Sequence, residues 1–333
     1  MSVCDSFHVP ATPDMLVLKS MDKSKDKRLM KSGRVSATHA SILRLLLATV
    51  AVIVLAGCAT NPPWPAIAEG ETTESVPGRW IWAELFTSDI PEAREFYGSV
   101  FGWQFETHGT AVKPYILIRN DGRPVAGMLR HPAGEGDVLR SRWVGLVSVK
   151  DVDTVSDKAR NAGGALLLDP ADLPGRGRVA LIADPEGARL GLLATESGDP
   201  PDVMPQDGGW LWHELWANSA SSAADFYRQT VGYSIKRTGK TAGKSEWHLV
   251  AGGFPRAGII EHGASGLPSA WLHYVRVADV RQAVERVKKA GGSVLIAPTR
   301  EFRQGRAAVI VDPMGAPLGI AEWPEEKRAG ASR

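Results

Sequence analysis

The sequence predicts an α+β fold of two tandem units, each running strand, helix, strands and then through the same order a second time. Three observations predict it. First, the 333-residue chain repeats itself. Trp80-Ile81-Trp82-Ala83-Glu84-Leu85 returns as Trp210-Leu211-Trp212-His213-Glu214-Leu215, and Phe96-Tyr97 as Phe226-Tyr227, each pair 130 residues apart. Farther on, a spacing of 128 joins Trp143 to Trp271, Asp151-Val152 to Asp279-Val280, Gly163-Gly164 to Gly291-Gly292, and Asp184-Pro185 to Asp312-Pro313. Second, the apolar period within a repeat switches from that of a strand to that of a helix and back. Third, Gly, Asn and Asp punctuate both copies at matching points.

Taken in order, residues 80–87 alternate as a strand. Ser88 or Asp89, with Glu92 behind it, offers an N-cap and capping box. Ala93, Phe96, Tyr97, Val100 and Phe101 form a helical stripe that Gly102 closes. Residues 115–118 and 125–129 read as strands around the turn Asn120-Asp121-Gly122. The plan then recurs: a strand at 143–149, Asp151 as cap, a helix on Val152, Val155, Ala159 and Ala162, Gly163-Gly164 as its stop, and strands near 165–168, 179–183 and 190–194.

Composition narrows the function classes. The chain is 44% hydrophobic and 23% charged with a formal charge of +2, as an ordinary globular protein is. Eight basic and four acidic residues precede Cys58, which leaves 31 basic against 33 acidic residues after it. No basic block fit to neutralise phosphates remains, so no nucleic-acid partner is expected. Cys4 and Cys58 are the only cysteines, so the folded part holds no disulfide framework.

The apolar run at 45–56 is 12 residues long, too short for a bilayer, which needs about 20. With a basic stretch before it and small residues after it, the run reads as a secretory signal. Leu55-Ala56-Gly57-Cys58 resembles a bacterial lipobox. That resemblance implies cleavage before Cys58, lipidation of its thiol, and membrane attachment at the periplasmic face of the envelope. Ala59, standing where Asp would mark the inner membrane, directs the expectation to the outer one. The expected organisation is a signal peptide at 1–57, with a true start at Met21 or Met30, and a Pro-rich tether at 58–78. Domains follow at 79–196 and 210–324, joined by a linker at 197–209, with a tail at 325–333.

Two βαβββ modules per repeat, with Phe-Tyr on the first helix, Phe-Gly-Trp after it, Gly-Gly ending the second helix and Asp-Pro-x-Gly before the last strand, resemble the vicinal-oxygen-chelate superfamily. This is the group of glyoxalase I, bleomycin-resistance proteins and extradiol dioxygenases. The resemblance implies tandem glyoxalase-like domains, each curling its mixed sheet into a cup where a divalent metal chelates two substrate oxygens. Carried over, the ligand positions fall at Trp82 and Trp212, at Val144 and Leu272, at Gly191 and Gly319, and near Met128 and Ile259. All are apolar or Gly, whereas such a metal needs three or four N, O or S donors, so no cofactor is expected.

Glu84 and Glu214 share strand parity with Trp82 and Trp212 and are expected to face the cups. They are candidate general bases or ligand-orienting carboxylates, unless each merely satisfies a backbone amide or an arginine such as Arg178 or Arg306. Trp82, Glu84, Met128, Trp212, Glu214, His248 and Tyr274 are the expected lining of a pocket for a small organic molecule. The alternative is a metal-dependent glyoxalase- or dioxygenase-type enzyme using Glu214, His248 and His262. A non-catalytic envelope scaffold is the third reading.

Overall fold

The computed structural model describes residues 64–70, 72–110, 113–131, 141–241, 244–262 and 268–323. The signal peptide, Cys58 and the tail expected from the sequence lie outside the described residues. No described helix is long and apolar enough to cross a membrane.

The first repeat runs β1 (Trp80–Thr87), α1 (Ile90–Phe101), β2 (Gln104–Gly109), β3 (Pro114–Asn120), β4 (Arg123–Arg130), β5 (Arg142–Ser148), α2 (Val152–Asn161), β6 (Ala165–Leu173), β7 (Gly177–Ala183) and β8 (Arg189–Thr195). The second runs β9 (Trp210–Ala217), α3 (Ala220–Thr230), β10 (Ser234–Thr241), β11 (Lys244–Ala251), β12 (Phe254–Glu261), β13 (Ala270–Arg276), α4 (Val280–Lys289), β14 (Ser293–Ile296), β15 (Ala307–Val311) and β16 (Pro317–Ala321). Each repeat forms one eight-stranded mixed sheet, ordered β2-β3-β4-β1-β5-β8-β7-β6 and β10-β11-β12-β9-β13-β16-β15-β14. The opening strands of the two modules, β1 and β5 or β9 and β13, pair antiparallel at the centre. Caps are as the sequence predicts: the carboxylates of Asp89, Asp151 and Asp279 accept backbone N–H groups at their helix starts, and Gly102 closes α1 in the left-handed region. Strand β2 carries no readable signal in the sequence, because it is an exposed edge strand without an apolar face.

The helices lie between the two sheets. Helices α1 and α4 share a core with Ala83, Leu85, Ile116 and Met128 of the first sheet and Val275, Ile310 and Ile320 of the second. Helices α2 and α3 share the other core, with Ile182 and Leu192 facing Leu215 and Ile259. The repeated motifs meet across this seam. Tyr97 donates to Asp312 Oδ2 at 2.9 Å while accepting from Trp143 Nε1 at 2.9 Å. Its twin Tyr227 donates to Asp184 Oδ2 at 3.1 Å and accepts from Trp271 Nε1 at 2.9 Å. A Cβ at Gly164 would meet the Ala183 carbonyl and Phe226 of the opposite repeat, and one at Gly292 would meet Phe96 of the opposite repeat first.

Phe-Tyr, Gly-Gly and Asp-Pro therefore fasten one domain to the other. Tyr97→Phe leaves Asp312 Oδ2 and Trp143 Nε1 short of a partner in a dry seam and is expected to cost about 1–3 kcal/mol. Urea unfolding measures it, and a loss under about 0.5 kcal/mol would deny the seam this role.

Candidate functional site

Strand parity assigns the two faces of each sheet. Ala83 and Leu85 of β1 face the helices, while Trp82 and Glu84 face the inner side of the cup, where Trp82 Nε1 donates to Glu84 Oε1 at 2.8 Å. In β9 the inner residues are Trp212, Glu214 and Trp216. Register places Glu84 between Val144 and Gly127, with Leu117 beyond. Glu214 sits between Leu272 and Gly258, with His248 beyond. Trp82 lies beside Leu146 and then Gly191, and Trp212 beside Tyr274 and then Gly319.

Met128 is not a cup residue. Register pairs Leu85 with Met128 and Glu84 with Gly127, so Met128 is fully buried in the helix-side core, and Ile259 likewise. A one-residue offset in a strand reverses the face. Gly127 takes the inner position, and a Cβ there would collide with the Tyr115 hydroxyl and Glu84 Oε2.

The first cup is filled by the chain itself. Arg176, with its side chain 2% exposed, places Nη1 2.8 Å from Glu84 Oε1, and Nε and Nη2 3.1 and 2.9 Å from the Pro65 carbonyl. Its Cζ stands 4.7 Å from the ring centre of Tyr115 and 5.4 Å from those of Trp64 and Trp82, within cation–π range. The Tyr115 hydroxyl donates to Glu84 Oε1 at 3.0 Å. Residues 64–69, read from the sequence as tether, cover this cluster. Trp64 N–H bonds Pro174 O, Ile67 is buried against Trp82, Tyr115 and Leu146, and Glu69 grips Arg119 at 2.7 and 2.8 Å. Burial pushes the Glu84 carboxyl above its ordinary value, with Arg176 pulling the other way. Glu84 Oε2 has no hydrogen-bond partner.

The second cup repeats the floor and changes the cover. Glu214 is buried and accepts at Oε2 from Trp216 Nε1 (2.9 Å) and Tyr274 OH (3.1 Å). Its Oε1 pairs with Arg303, whose side chain is 35% exposed. Arg303 also approaches Glu246, Nη1 to Oε1 at 3.9 Å. His248 lies edge-on to Trp212 with ring centres 5.5 Å apart, and burial holds its imidazole below the ordinary value. The arginines the sequence offered as partners, Arg178 and Arg306, are not those the carboxylates use. Arg178 pairs with Asp153 and Asp172 on the outside. The 128-residue spacing aligns Arg176 with Gln304, so Arg303 fills the role one residue out of step.

The donor set does not fit a divalent metal. Each floor offers one carboxylate already bonded to indole, phenol and guanidinium and flanked in register by Gly with Val or Leu, and the second adds His248 one strand beyond. Glu214, His248 and His262 do not assemble: His262 lies past the end of β12, its N–H on Ala217 O. Among the described residues no three His, Cys, Asp or Glu side chains group so as to hold a metal. The remaining second-repeat histidines are on the other face. His213 and His273 are buried at the seam with Nδ1 atoms 2.9 Å apart, and His213 stacks on Trp80 at 4.2 Å.

Residues 79–192 and 211–320 each match the Glyoxalase/Bleomycin resistance protein/Dioxygenase superfamily. The chain is 31% identical over 243 residues, 72% of its own length and 92% of the relative's, to Mycobacterium tuberculosis CFP32, whose name carries a provisional glyoxylase label. It is 30% identical over 273 residues, 78% of its length and 98% of the relative's, to the anthracycline biosynthesis protein DnrV of Streptomyces peucetius. Among solved structures, the 2,2',3-trihydroxybiphenyl 1,2-dioxygenase of Sphingomonas wittichii shares the fold at a TM-score of 0.52 and 15% identity, over 76% of this chain and 91% of that one. The 2,3-dioxygenase LapB of Pseudomonas does so at 0.53 and 12%, over 76% and 94%. Two tandem matches over most of the folded chain, on two eight-stranded mixed sheets of the corresponding design, make this protein a member of the glyoxalase/bleomycin resistance/dioxygenase superfamily.

Proposed function

We propose that this chain is an envelope-anchored receptor that holds a small organic ligand in its second cup without a resident metal. The observation that carries the reading is the floor of each cup: one buried carboxylate, flanked by tryptophan and engaged by an arginine of the same chain, where the superfamily's chemistry calls for several metal donors. The first cup is occupied by Arg176 and residues 64–69, so the second, whose covering Arg303 is 35% exposed against 2% for Arg176, is the working one. Trp212, Trp216, Tyr274 and His248 supply the flat apolar walls and few polar groups of a small-molecule site. The names of the two relatives, one a glyoxylase label and one a biosynthesis protein, accord with a small organic partner.

The lipobox reading supplies the anchor. Five residues separate Cys58 from Trp64, a reach over six steps of at most about 22 Å, so lipidated Cys58 would hold the first cup against the membrane and make residues 64–69 part of the attachment.

Titrating the intact protein with a library of planar small molecules tests the receptor reading through tryptophan fluorescence. At least one compound is expected to quench saturably, and Trp212→Ala to abolish that quench. A library-wide absence of saturable quenching would favour the scaffold reading instead.

A further inference from the structure

The first cup shows what kind of guest these floors are shaped for. Its occupant is a planar cation, the Arg176 guanidinium, set on the Glu84 carboxylate and walled by Tyr115, Trp82 and Trp64. The second cup keeps the carboxylate, fully buried, and the aromatic walls, and differs in its arginine, whose side chain is 35% exposed against 2% for Arg176. Residues 197–209, which precede the second repeat, have no counterpart of the Trp64 segment over the cup. Instead Gly208 bonds Arg276 O and accepts from Trp103 at the seam. The cation on Glu214 comes from the rim, out of a short 3-10 turn, Arg303–Gly305. Two successive non-glycine residues of that turn, Arg303 and Gln304, sit in the left-handed region with φ of 49° and 58°, where side chains are strained. Arg303 has a second acceptor within a short swing, since Glu246 already stands 3.9 Å away.

The geometry points to the second cup as a site for a planar organic cation, an amidinium or guanidinium on an apolar body, that takes Glu214 from Arg303. This rests on the second cup being the working one. The guest's charged fork replaces the guanidinium on Glu214, its body lies between Trp212, Trp216 and His248, and Arg303 turns to Glu246. Burial holds the His248 imidazole below its ordinary value, with Glu246, 3.8 Å from its Nε2, pulling the other way, and Lys236 and Arg303 near it disfavour a second cationic group on the guest.

Three isosteric probes separate charge from shape: benzamidine, benzamide and benzoate, titrated calorimetrically into the intact protein and into Arg303→Ala, with circular dichroism confirming the fold. Removing the internal competitor raises the fraction of open cup, so Arg303→Ala is expected to bind benzamidine at least about tenfold tighter than the parent does. It should also prefer benzamidine to benzamide by about tenfold or more, show no benzoate binding, and lose benzamidine when Glu214→Gln is added. Arg303→Gln, which keeps the stem, serves as the second opening variant if the alanine form does not fold. Benzamide or benzoate binding as tightly as benzamidine would overturn the cation assignment while leaving a small-molecule receptor in place. Failure of a folded opening variant to bind any of the three would overturn the assignment too, and the library titration with the parent protein then decides the receptor reading separately.

Discussion

Glu84→Leu is expected to destabilise the protein by about 3–5 kcal/mol, because it strands the Arg176 guanidinium, 2% exposed, in a dry aromatic cage with the neutral Pro65 carbonyl and Tyr115 hydroxyl as its remaining partners and no counter-charge. In a folded part of this size that lowers the thermal midpoint by roughly 10 °C. The double variant Glu84→Leu/Arg176→Met removes both charges and keeps the volume, so it should recover most of the loss. Guanidinium chloride unfolding of the three proteins measures the contrast. A single variant losing less than about 1 kcal/mol, or a double variant no better than the single one, would mean that the pair is not the buried unit described.

Acid is expected to weaken the seam between the repeats. Burial lowers the His273 imidazole to about 3 and drives His213 well below its ordinary value, with His273 beside it adding to the effect. Unfolding releases both to near 6.5. Since the folded pKa values are depressed, the unfolded chain binds more protons below pH 6.5. The stability from keeping both rings neutral is therefore complete above that pH and drains away as pH falls toward 3. A ring held neutral contributes a slope that approaches about 1.4 kcal/mol per pH unit below pH 6.5, so His273 alone accounts for roughly 2 kcal/mol between pH 6.5 and 4.5. Burial raises the carboxyls of Asp184, Asp312 and Glu84, which act in the opposite sense. The double variant His213→Asn/His273→Asn isolates the imidazoles: its stability should fall less steeply than the parent's between pH 6.5 and 4.5. Parallel slopes would show that the buried pair carries no linkage.

The tandem fold was legible because each repeat states it independently, with caps at Asp89, Asp151 and Asp279 and breakers at Gly102 and Gly163. The inward pairing of Trp82 with Glu84, and of Trp212 with Glu214, followed from period two on opening strands whose ends the repeat itself fixed. Where register had to be counted across a loop, as for Met128, an offset of one residue sufficed to choose the wrong face. The role of Phe-Tyr, Gly-Gly and Asp-Pro was not readable, because the partner of Tyr97 is 215 residues away in the other copy. Arg303 was hidden for a different reason: β14 ends early at Ile296, whereas β6 continues to Leu173, and the irregular stretch that follows shifts the arginine out of the repeat's spacing. Residues 64–69 read as tether because Pro-rich composition shows where a chain is not helix or strand, and says nothing of what it lies against. Only Trp64 and Ile67, two large apolar residues in a polar stretch, could have hinted at a seat.

Metal content measures directly what neutralises the buried carboxylates. The intact protein, purified without chelator and analysed for zinc, iron, manganese, nickel and copper, is expected to carry none in stoichiometric amount, and added metal should leave its thermal midpoint unchanged. One equivalent of a divalent metal per cup, retained through dialysis and lost on Glu84→Gln or Glu214→Gln, would contradict the assignment of both floors to arginine.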